Sequence, residues 1–232
     1  MPTPTRLSEH AFLVGSDGLS GAGDCCVYAI GLANGSTCLI DAGTTHAGRI
    51  LVNIEAAGLE PQSLQFLVLT HFHYDHCGAA HEFKARFPVM QVYAHELDAP
   101  AIEGAPGTAG MTAASWYGET YMPVGVDMKL HDPVEVVELG GTPVEFHHVP
   151  GHTPGSIAVV VEDEGQRVLL GQDIHGPFLA AFQSSIEDWA ASMHHLLDLD
   201  ADILGEGHFG VIKGKANVRA FIEGYLRDNG YA

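Results

Sequence analysis

The chain has few basic residues. Its 232 residues contain 10 Lys and Arg against 29 Asp and Glu, which gives a formal net charge of −19. A surface this acidic repels phosphate backbones and anionic lipid, so we expect neither nucleic acid nor a membrane as a partner. Charged residues make up only 17% of the chain and hydrophobic residues 46%, which argues against a disordered chain. The composition predicts a globular protein with a sizeable core.

Long apolar runs and paired cysteines are also missing. No run approaches the roughly 18 apolar residues that a membrane span needs. The first residues show no basic stretch leading into an apolar segment, so we predict a cytoplasmic protein. Cys25, Cys26, Cys38 and Cys77 form no C-x-x-C pair, which favours reduced and buried thiols. No G-x-S-x-G sequence offers a serine nucleophile.

Short apolar segments separated by glycine predict many strands with helices between them. The segments that predict strands are 12–14, 26–30, 37–40, 66–69, 89–94, 134–139, 144–149, 157–161, 168–170 and 203–204. Those that predict helices are 50–57, 78–87, 185–197 and 215–227. Strand-rich halves with helices outside imply two sheets between helical layers. No linker indicates a second independent domain, so we expect one domain over residues 1–232.

Histidine and aspartate are concentrated directly after one predicted strand. His71, His73, Asp75 and His76 follow the apolar run 66–69. Neutral imidazole and carboxylate are good ligands for zinc and similar divalent ions. Four such groups are more than one structural tetrahedral ion would take from so short a segment. Pairs that belong to two neighbouring ions fit the spacing better.

Three further candidate ligands also follow predicted strands. His152 lies in a Gly/Pro turn after strand 144–149, Asp173 follows strand 168–170, and His208 follows strand 203–204. A histidine or aspartate in a loop is usually only solvated. Because the same placement is repeated, we expect these side chains to converge with the first group at one edge of the sheets.

These motifs resemble those of the metallo-β-lactamase superfamily of metallohydrolases, over residues 41–208 and in particular its dinuclear branch of lactonases and glyoxalase II enzymes. The resemblance implies an α+β fold, the αββα four-layer sandwich of two mixed β-sheets flanked by helices. It also implies a ligand set for two divalent ions. The first ion would be held by His71, His73 and His152, the second by Asp75, His76 and His208, with Asp173 bridging both and Asp41 supporting the ligands.

Two neighbouring ions would supply a nucleophile without an activated serine or cysteine. Ions about 3.5–4 Å apart can share a hydroxide, and zinc lowers the pKa of bound water to about 7. We expect this hydroxide to attack a carbonyl, with Asp75 and Asp173 as the catalytic carboxylates and Asp75 relaying the proton. Zinc is the favoured metal, and iron and manganese stay open because affinity order alone does not choose between them.

The substrate is predicted to be a small ester, lactone or thioester. Asp173 in a bridging position differs from true β-lactamases, which makes antibiotic hydrolysis a poor expectation. The only cationic residues clustered after the last ligand are Lys213, Lys215 and Arg219, so a glyoxalase II-like glutathione thioesterase is the less favoured hydrolase. A third alternative is a mononuclear iron enzyme that resembles the persulfide dioxygenases of the superfamily.

Residues 99–125 are rich in Ala, Gly, Thr and Pro and are predicted to be an insertion that covers the site. Trp116, Tyr117 and Tyr121 are candidates for the substrate pocket. The alternative is that they pack against the domain or form a homodimer interface. His175 is a further candidate for contact with a small-molecule substrate, with a surface position as its alternative.

Overall fold

The computed structural model describes residues 3–171 and 173–231. The strands are β1 (Thr5–Arg6), β2 (Ala11–Gly15), β3 (Val27–Gly31), β4 (Thr37–Ile40), β5 (Leu64–Val68), β6 (Gln91–His95), β7 (Met128–Leu130), β8 (Val134–Leu139), β9 (Thr142–His148), β10 (Ile157–Asp163), β11 (Gln166–Leu170), β12 (Ile203–Glu206) and β13 (Gly210–Lys213). The α-helices are α1 (Ala47–Ala56), α2 (Tyr74–Cys77), α3 (Ala80–Arg86), α4 (Ala99–Ile102), α5 (Ile186–Asp198) and α6 (Lys215–Asp228). Short 3-10 helices cover Pro61–Ser63, Ala114–Tyr117 and Ala180–Phe182.

The strands form two mixed sheets. The first sheet contains seven strands in the order β1 to β7, antiparallel from β1 to β4 and parallel from β4 to β7. The second contains six strands in the order β13 to β8, antiparallel except for the parallel pair β11 and β12. Each sheet is therefore built from one continuous half of the described chain.

Alternating side chains on the strands give each sheet two apolar faces. On β3, Ala29 packs under α1, whereas Tyr28 and Ile30 point to the other sheet. On β10, Val159 lies between the sheets and Val160 packs under α5 and α6. Three apolar layers therefore separate four structural layers: helices, sheet, sheet and helices. The expected αββα sandwich is confirmed.

Two short helices replace the helix predicted over 78–87. The chain turns helical already at Tyr74, in α2, and α3 begins only at Ala80. Helix α2 escaped prediction because it has only four residues, too few to show an apolar stripe with helical spacing. The last residue of α3, Arg86, precedes Phe87 and Pro88, which agrees with the restriction that proline places on the residue before it.

Three strands and a second helix, α4, were also not predicted. Strands β1, β7 and β13 are short and lie at sheet edges, and α4 has four residues. Their exposed or mixed side chains lack the alternation on which strand prediction depends. The four cysteines are all buried and unpaired, as expected.

Candidate metal centre

The candidate ligands meet where several strands end. His71 and His73 follow β5, and Asp75 and His76 lie on α2. The second sheet contributes residues from three connections: His152 between β9 and β10, Asp173 after β11, and His208 between β12 and β13. Both sheets supply donors to one cluster, and the structure brings all seven predicted residues together.

The first predicted set consists of three buried histidines. His73 Nδ1 lies 3.0 Å from His71 Nε2 and 2.9 Å from His152 Nε2. Nitrogens bound to one tetrahedral zinc at 2.0–2.1 Å lie about 3.3 Å apart, so three inward-facing nitrogens at this spacing can surround one ion. Burial lowers the pKa of His71 well below its usual value, that of His73 to about 3 and that of His152 to about 4. These imidazoles are therefore neutral at neutral pH, as metal ligation requires.

Asp173 faces both predicted sets with different oxygens. Its Oδ2 lies 3.5 Å from Nε2 of His152. Its Oδ1 lies 3.2 Å from Nε2 of His76 and 3.3 Å from Nε2 of His208. The side chain is almost completely buried. This carboxylate can therefore supply one oxygen to each of two ions.

The second predicted set combines Asp75, His76 and His208. Asp75 Oδ2 lies 3.2 Å from His208 Nε2 and 3.8 Å from His76 Nε2. Burial by itself raises the pKa of Asp75 and of Asp173, but the neighbouring His76 and His208 lower both pKa values overall. Both carboxylates are thus ionised at neutral pH, and they give the centre negative charge that a divalent cation would neutralise.

Three buried atoms in the centre have no hydrogen-bond partner among the described residues: His73 Nε2, His76 Nε2 and Asp173 Oδ1. The last two lie on facing side chains. A buried polar atom without a partner costs about 1–3 kcal/mol, and native proteins leave few of them. An ion between His76 Nε2 and Asp173 Oδ1 would satisfy both of these atoms. The donor types, their spacing and these unpaired atoms together fit two divalent cations.

Asp41, for which the resemblance implied a supporting role, is hydrogen-bonded to the cluster. Its carboxylate accepts hydrogen bonds from the backbone N–H and the hydroxyl of Thr70, both at 2.8 Å, and from Nδ1 of His76 at 2.8 Å. Because the Asp41 carboxylate can only accept, Nδ1 of His76 donates and Nε2 faces Asp173. Burial lowers the pKa of His76, but the neighbouring Cys25, Asp173 and Asp41 raise it overall, so in the metal-free chain a proton takes the place on Nε2 that a metal ion would take. Asp41 adopts a left-handed φ of 63°, a conformation that aspartate tolerates better than most residues.

Asp98 is a buried carboxyl group beside the cluster that the sequence did not reveal. It lies in the loop between β6 and α4, fully buried. It accepts hydrogen bonds from Phe72 N at 3.1 Å, Thr153 Oγ1 at 2.7 Å and Gly155 N at 2.7 Å. Asp98 thus ties the segment of His71 and His73 to the turn that carries His152. No sequence motif marks it, because its partners come close only in the folded chain.

Glu206 plays a corresponding part on the other side of the cluster. Its fully buried carboxylate accepts from Ile174 N at 2.9 Å and His175 Nδ1 at 3.0 Å. It also accepts from His208 N at 2.7 Å and Phe209 N at 2.9 Å. The sequence contains a signal for Glu206, because a glutamate at the end of an apolar strand must be paired when it is buried.

A cavity of about 160 Å³ opens over the cluster. Trp116 and Tyr117 line it from the segment 99–125, and Phe182 and His175 line it from the chain that follows Asp173. The Phe182 ring lies 4.2 Å from the ring of His73 and 5.3 Å from that of Trp116. The structure therefore places Trp116, Tyr117 and His175 where the sequence expected a pocket, and adds Phe182.

Tyr121 lies elsewhere, and the expectation that it lines this cavity is wrong. Its hydroxyl donates to the carbonyl oxygen of Ile102 at 2.9 Å. Its ring packs against the core below the first sheet and borders a different surface cavity, beside Pro123 and Ala101. The residue turns inward because the segment folds back on α4 after the 3-10 helix at Ala114–Tyr117.

Comparisons with known proteins agree with this architecture of two sheets and one cluster of candidate metal ligands. Residues 20–208 match the metallo-β-lactamase superfamily, and the chain belongs to that superfamily of hydrolases. It is 32% identical over 126 residues to hydroxyacylglutathione hydrolase GloC of Haemophilus influenzae, a match that covers 54% of this chain and 56% of that protein. It is 28% identical over 208 residues to the probable metallo-hydrolase YflN of Bacillus subtilis, with 76% of each chain covered.

A third relative and a solved structure extend the comparison. The chain is 26% identical over 120 residues to an N-acyl homoserine lactonase of Bacillus sp, covering 52% of this chain and 42% of that protein. The matched stretches thus span about half the length of GloC and of the lactonase. A metallo-β-lactamase variant from Cronobacter sakazakii superposes with a TM-score of 0.80 at 21% identity, covering 99% of this chain and 96% of that chain. At that identity the likeness shows the fold alone. Among the described residues, no helix is long and apolar enough to cross a membrane.

Proposed function

We propose that this protein is a dinuclear zinc hydrolase of neutral carboxylic esters or lactones with an apolar acyl group. The observation that carries the proposal is the character of the cavity wall. Aromatic rings from Trp116, Tyr117 and Phe182 stand beside the cluster, and none of the described residues that line the cavity is a lysine or arginine.

The donor set supports hydrolysis. When two divalent ions are bound, they activate water and polarise a carbonyl group. His71, His73 and His152 would hold one ion and Asp75, His76 and His208 the other, with Asp173 between them. Asp75 is ionised and borders the cavity, so its carboxylate can accept a proton from an attacking water and return it to the leaving oxygen.

Two cavity residues have the chemistry to orient the substrate. Burial and the nearby Asp75 raise the pKa of Tyr117, so its hydroxyl stays protonated and can donate to a substrate oxygen. The exposed ring of Trp116 and the buried ring of Phe182 present a broad apolar surface. An acyl chain would bury its methylene groups there, at about 0.8 kcal/mol for each.

The cations that could recognise glutathione carboxylates are bound elsewhere. Lys215 pairs with Asp200, and Lys213 donates to the backbone oxygen of Arg6. Arg219 lies on α6 within reach of Glu223. None of the three borders the cavity. The lactonase relative supports the lactone, whereas GloC supports a glutathione thioester, so substrate preference is the point to test.

The test begins with the metal content of protein purified without added metal. Two zinc ions per chain are expected, and one iron per chain with oxygen uptake on persulfides would replace the proposal by an oxygenase. The loaded protein is then assayed on a γ-lactone with an acyl side chain, a neutral alkyl ester and a glutathione thioester. We expect kcat/KM for the lactone or ester to exceed that for the thioester at least tenfold.

Asp173→Asn serves as the background control, because an activity that needs the centre must vanish in it. A higher kcat/KM for the glutathione thioester would contradict the proposed substrate. Activity that survives in Asp173→Asn with full metal content would contradict the proposed site.

A further inference from the structure

Two buried carboxylates stand outside the ligand set, one beside each half of the cluster. Among the described residues, the Asp98 carboxylate accepts hydrogen bonds only from segments that carry the first set, at Phe72, Thr153 and Gly155. The Glu206 carboxylate, over the same described residues, accepts only from the segments that carry Asp173 and His208. Neither carboxylate lies among the groups that could themselves hold an ion.

We propose that Asp98 and Glu206 are positioning residues, each of which mainly sets the affinity of one metal position. Asp98 acts on the position formed by His71, His73 and His152. Glu206 acts on the position that includes His208. This inference rests on the dinuclear centre of the proposed function. It adds that the two positions can be weakened to different extents without removal of a ligand.

The contacts of Asp98 fix both parts of the first set. Its Oδ2 accepts from Phe72 N, which lies between the two ligand histidines His71 and His73. The same oxygen accepts from the hydroxyl of Thr153, the residue after His152. Gly155 permits this approach, since a Cβ atom there would lie 2.6 Å from Asp98 Oδ1. Loss of Asp98 would remove the hydrogen bonds that hold together two ligand segments that are far apart in the sequence.

The contacts of Glu206 fix the backbone on both sides of the second metal position, next to His208 and next to Asp173. Oε2 accepts the backbone N–H groups of His208 and Phe209, which sets the direction in which the His208 side chain leaves the loop. Oε1 accepts from Ile174 N, one residue after Asp173, and from the His175 ring. Four hydrogen bonds satisfy a carboxylate completely, so an amide in its place must leave donors unpaired.

The experiment compares Asp98→Asn and Glu206→Gln with the wild-type chain and with Asp163→Asn. Asp163 is also a buried carboxylate, bonded to His10 N and Nδ1 at 2.7 Å, but it lies away from the cluster. Metal-free protein is titrated with cobalt(II), with visible absorption and a competing chelator as readouts. The variants His71→Ala and His208→Ala assign the two binding steps, because each removes a ligand from one set only.

Positioning residues next to metal ligands typically change affinity 10–100-fold. We expect Glu206→Gln to weaken the position that contains His208 by this factor, and to weaken the other position, which shares Asp173, at least threefold less. Asp98→Asn should show the reverse, and Asp163→Asn should change neither. Circular dichroism verifies folding, and Asp98→Glu and Glu206→Asp, which retain the charge, replace any variant that does not fold.

Equal weakening of both positions in each variant would overturn the inference and leave the dinuclear centre intact. So would unchanged affinities with a lowered Tm, since that is the result of a purely structural role. A wild-type chain that binds fewer than two ions would overturn the proposed dinuclear centre and this inference together.

Discussion

Gly207 offers a direct test of the bridging carboxylate. The residue precedes His208, and a Cβ atom added to it would lie 2.1 Å from Asp173 Oδ1 and 3.3 Å from His76 Cε1. Real Cβ atoms essentially never show contacts under 3.0 Å, so in Gly207→Ala the Asp173 carboxylate must move by about 1 Å. Gly207 does not have a positive φ, and the effect would therefore come from contact instead of backbone strain.

The size of the effect follows from the two roles of Asp173. Metal–ligand distances are held to within about 0.2 Å, so a shift of about 1 Å removes the carboxylate as a ligand. Four-ligand zinc sites have apparent binding free energies of about 10–16 kcal/mol, which makes one ligand worth about 3–4 kcal/mol. Because Asp173 faces both sets, each ion should bind about 10²–10³-fold more weakly.

The assay measures zinc per chain after dialysis against a chelator, together with zinc dissociation constants. Gly171→Ala is the matched control, since the nearest atoms to a Cβ there are the flexible ends of Leu204, at 3.3 Å, and Ile174, at 3.5 Å. We expect Gly207→Ala to lose both ions under conditions in which wild type and Gly171→Ala retain them. Two tightly held ions in Gly207→Ala would refute the bridging role of Asp173.

Three further predictions concern stability, catalysis and pH. Trp189→Phe should lower the free energy of unfolding, measured in urea, by about 2–4 kcal/mol, because the indole N–H of this buried side chain donates to Ile174 O at 2.9 Å. Trp116→Phe, at an exposed position, should change the free energy of unfolding by under about 0.5 kcal/mol. Similar losses in the two variants would contradict the role given to burial and to this hydrogen bond. Tyr117→Phe should lower kcat about tenfold with unchanged metal content; an unchanged kcat would remove Tyr117 from the mechanism. Burial raises the pKa of Asp98 to about 7, so between about pH 4 and 7 the folded chain keeps a proton that the unfolded chain has released, and stability falls as pH rises. The measurement is the difference in unfolding free energy between metal-free wild type and metal-free Asp98→Asn as a function of pH. As pH rises from about 4 to 7, this difference should fall by up to about 1.4 kcal/mol per pH unit, and above about pH 7 it should level off. A difference that does not change with pH would contradict the raised pKa of Asp98.

The sequence predicted the convergence of the seven candidate ligands because strand order alone brings strand ends to one edge. His71 and Asp75 belong to one local motif, and His152 and His208 each follow an apolar strand, so local pattern contained the necessary information. The same holds for the central strands, whose continuous apolar runs reflect burial on both faces.

What escaped prediction depends on contacts between distant parts of the chain. Asp98 contacts Thr153, 55 positions away, and no local pattern distinguishes such an aspartate from a solvated one. Phe182 contacts His73 from a three-residue 3-10 helix, which is too short to show a periodic pattern. Tyr121 could not be separated from Tyr117 by composition, because the turn between them decides which ring faces the cluster.

The division of donors between the sheets gives the centre a mechanical meaning. The first sheet is formed entirely by residues 5–130 and the second by residues 134–213, and each predicted position draws ligands from both. Bound ions would therefore act as removable cross-links between the two halves of a chain whose cysteines are all unpaired. By mass action, an ion present at 100 times its dissociation constant adds about 2.7 kcal/mol to the folded state. The free energy of unfolding would then rise and fall with the concentration of free metal ion.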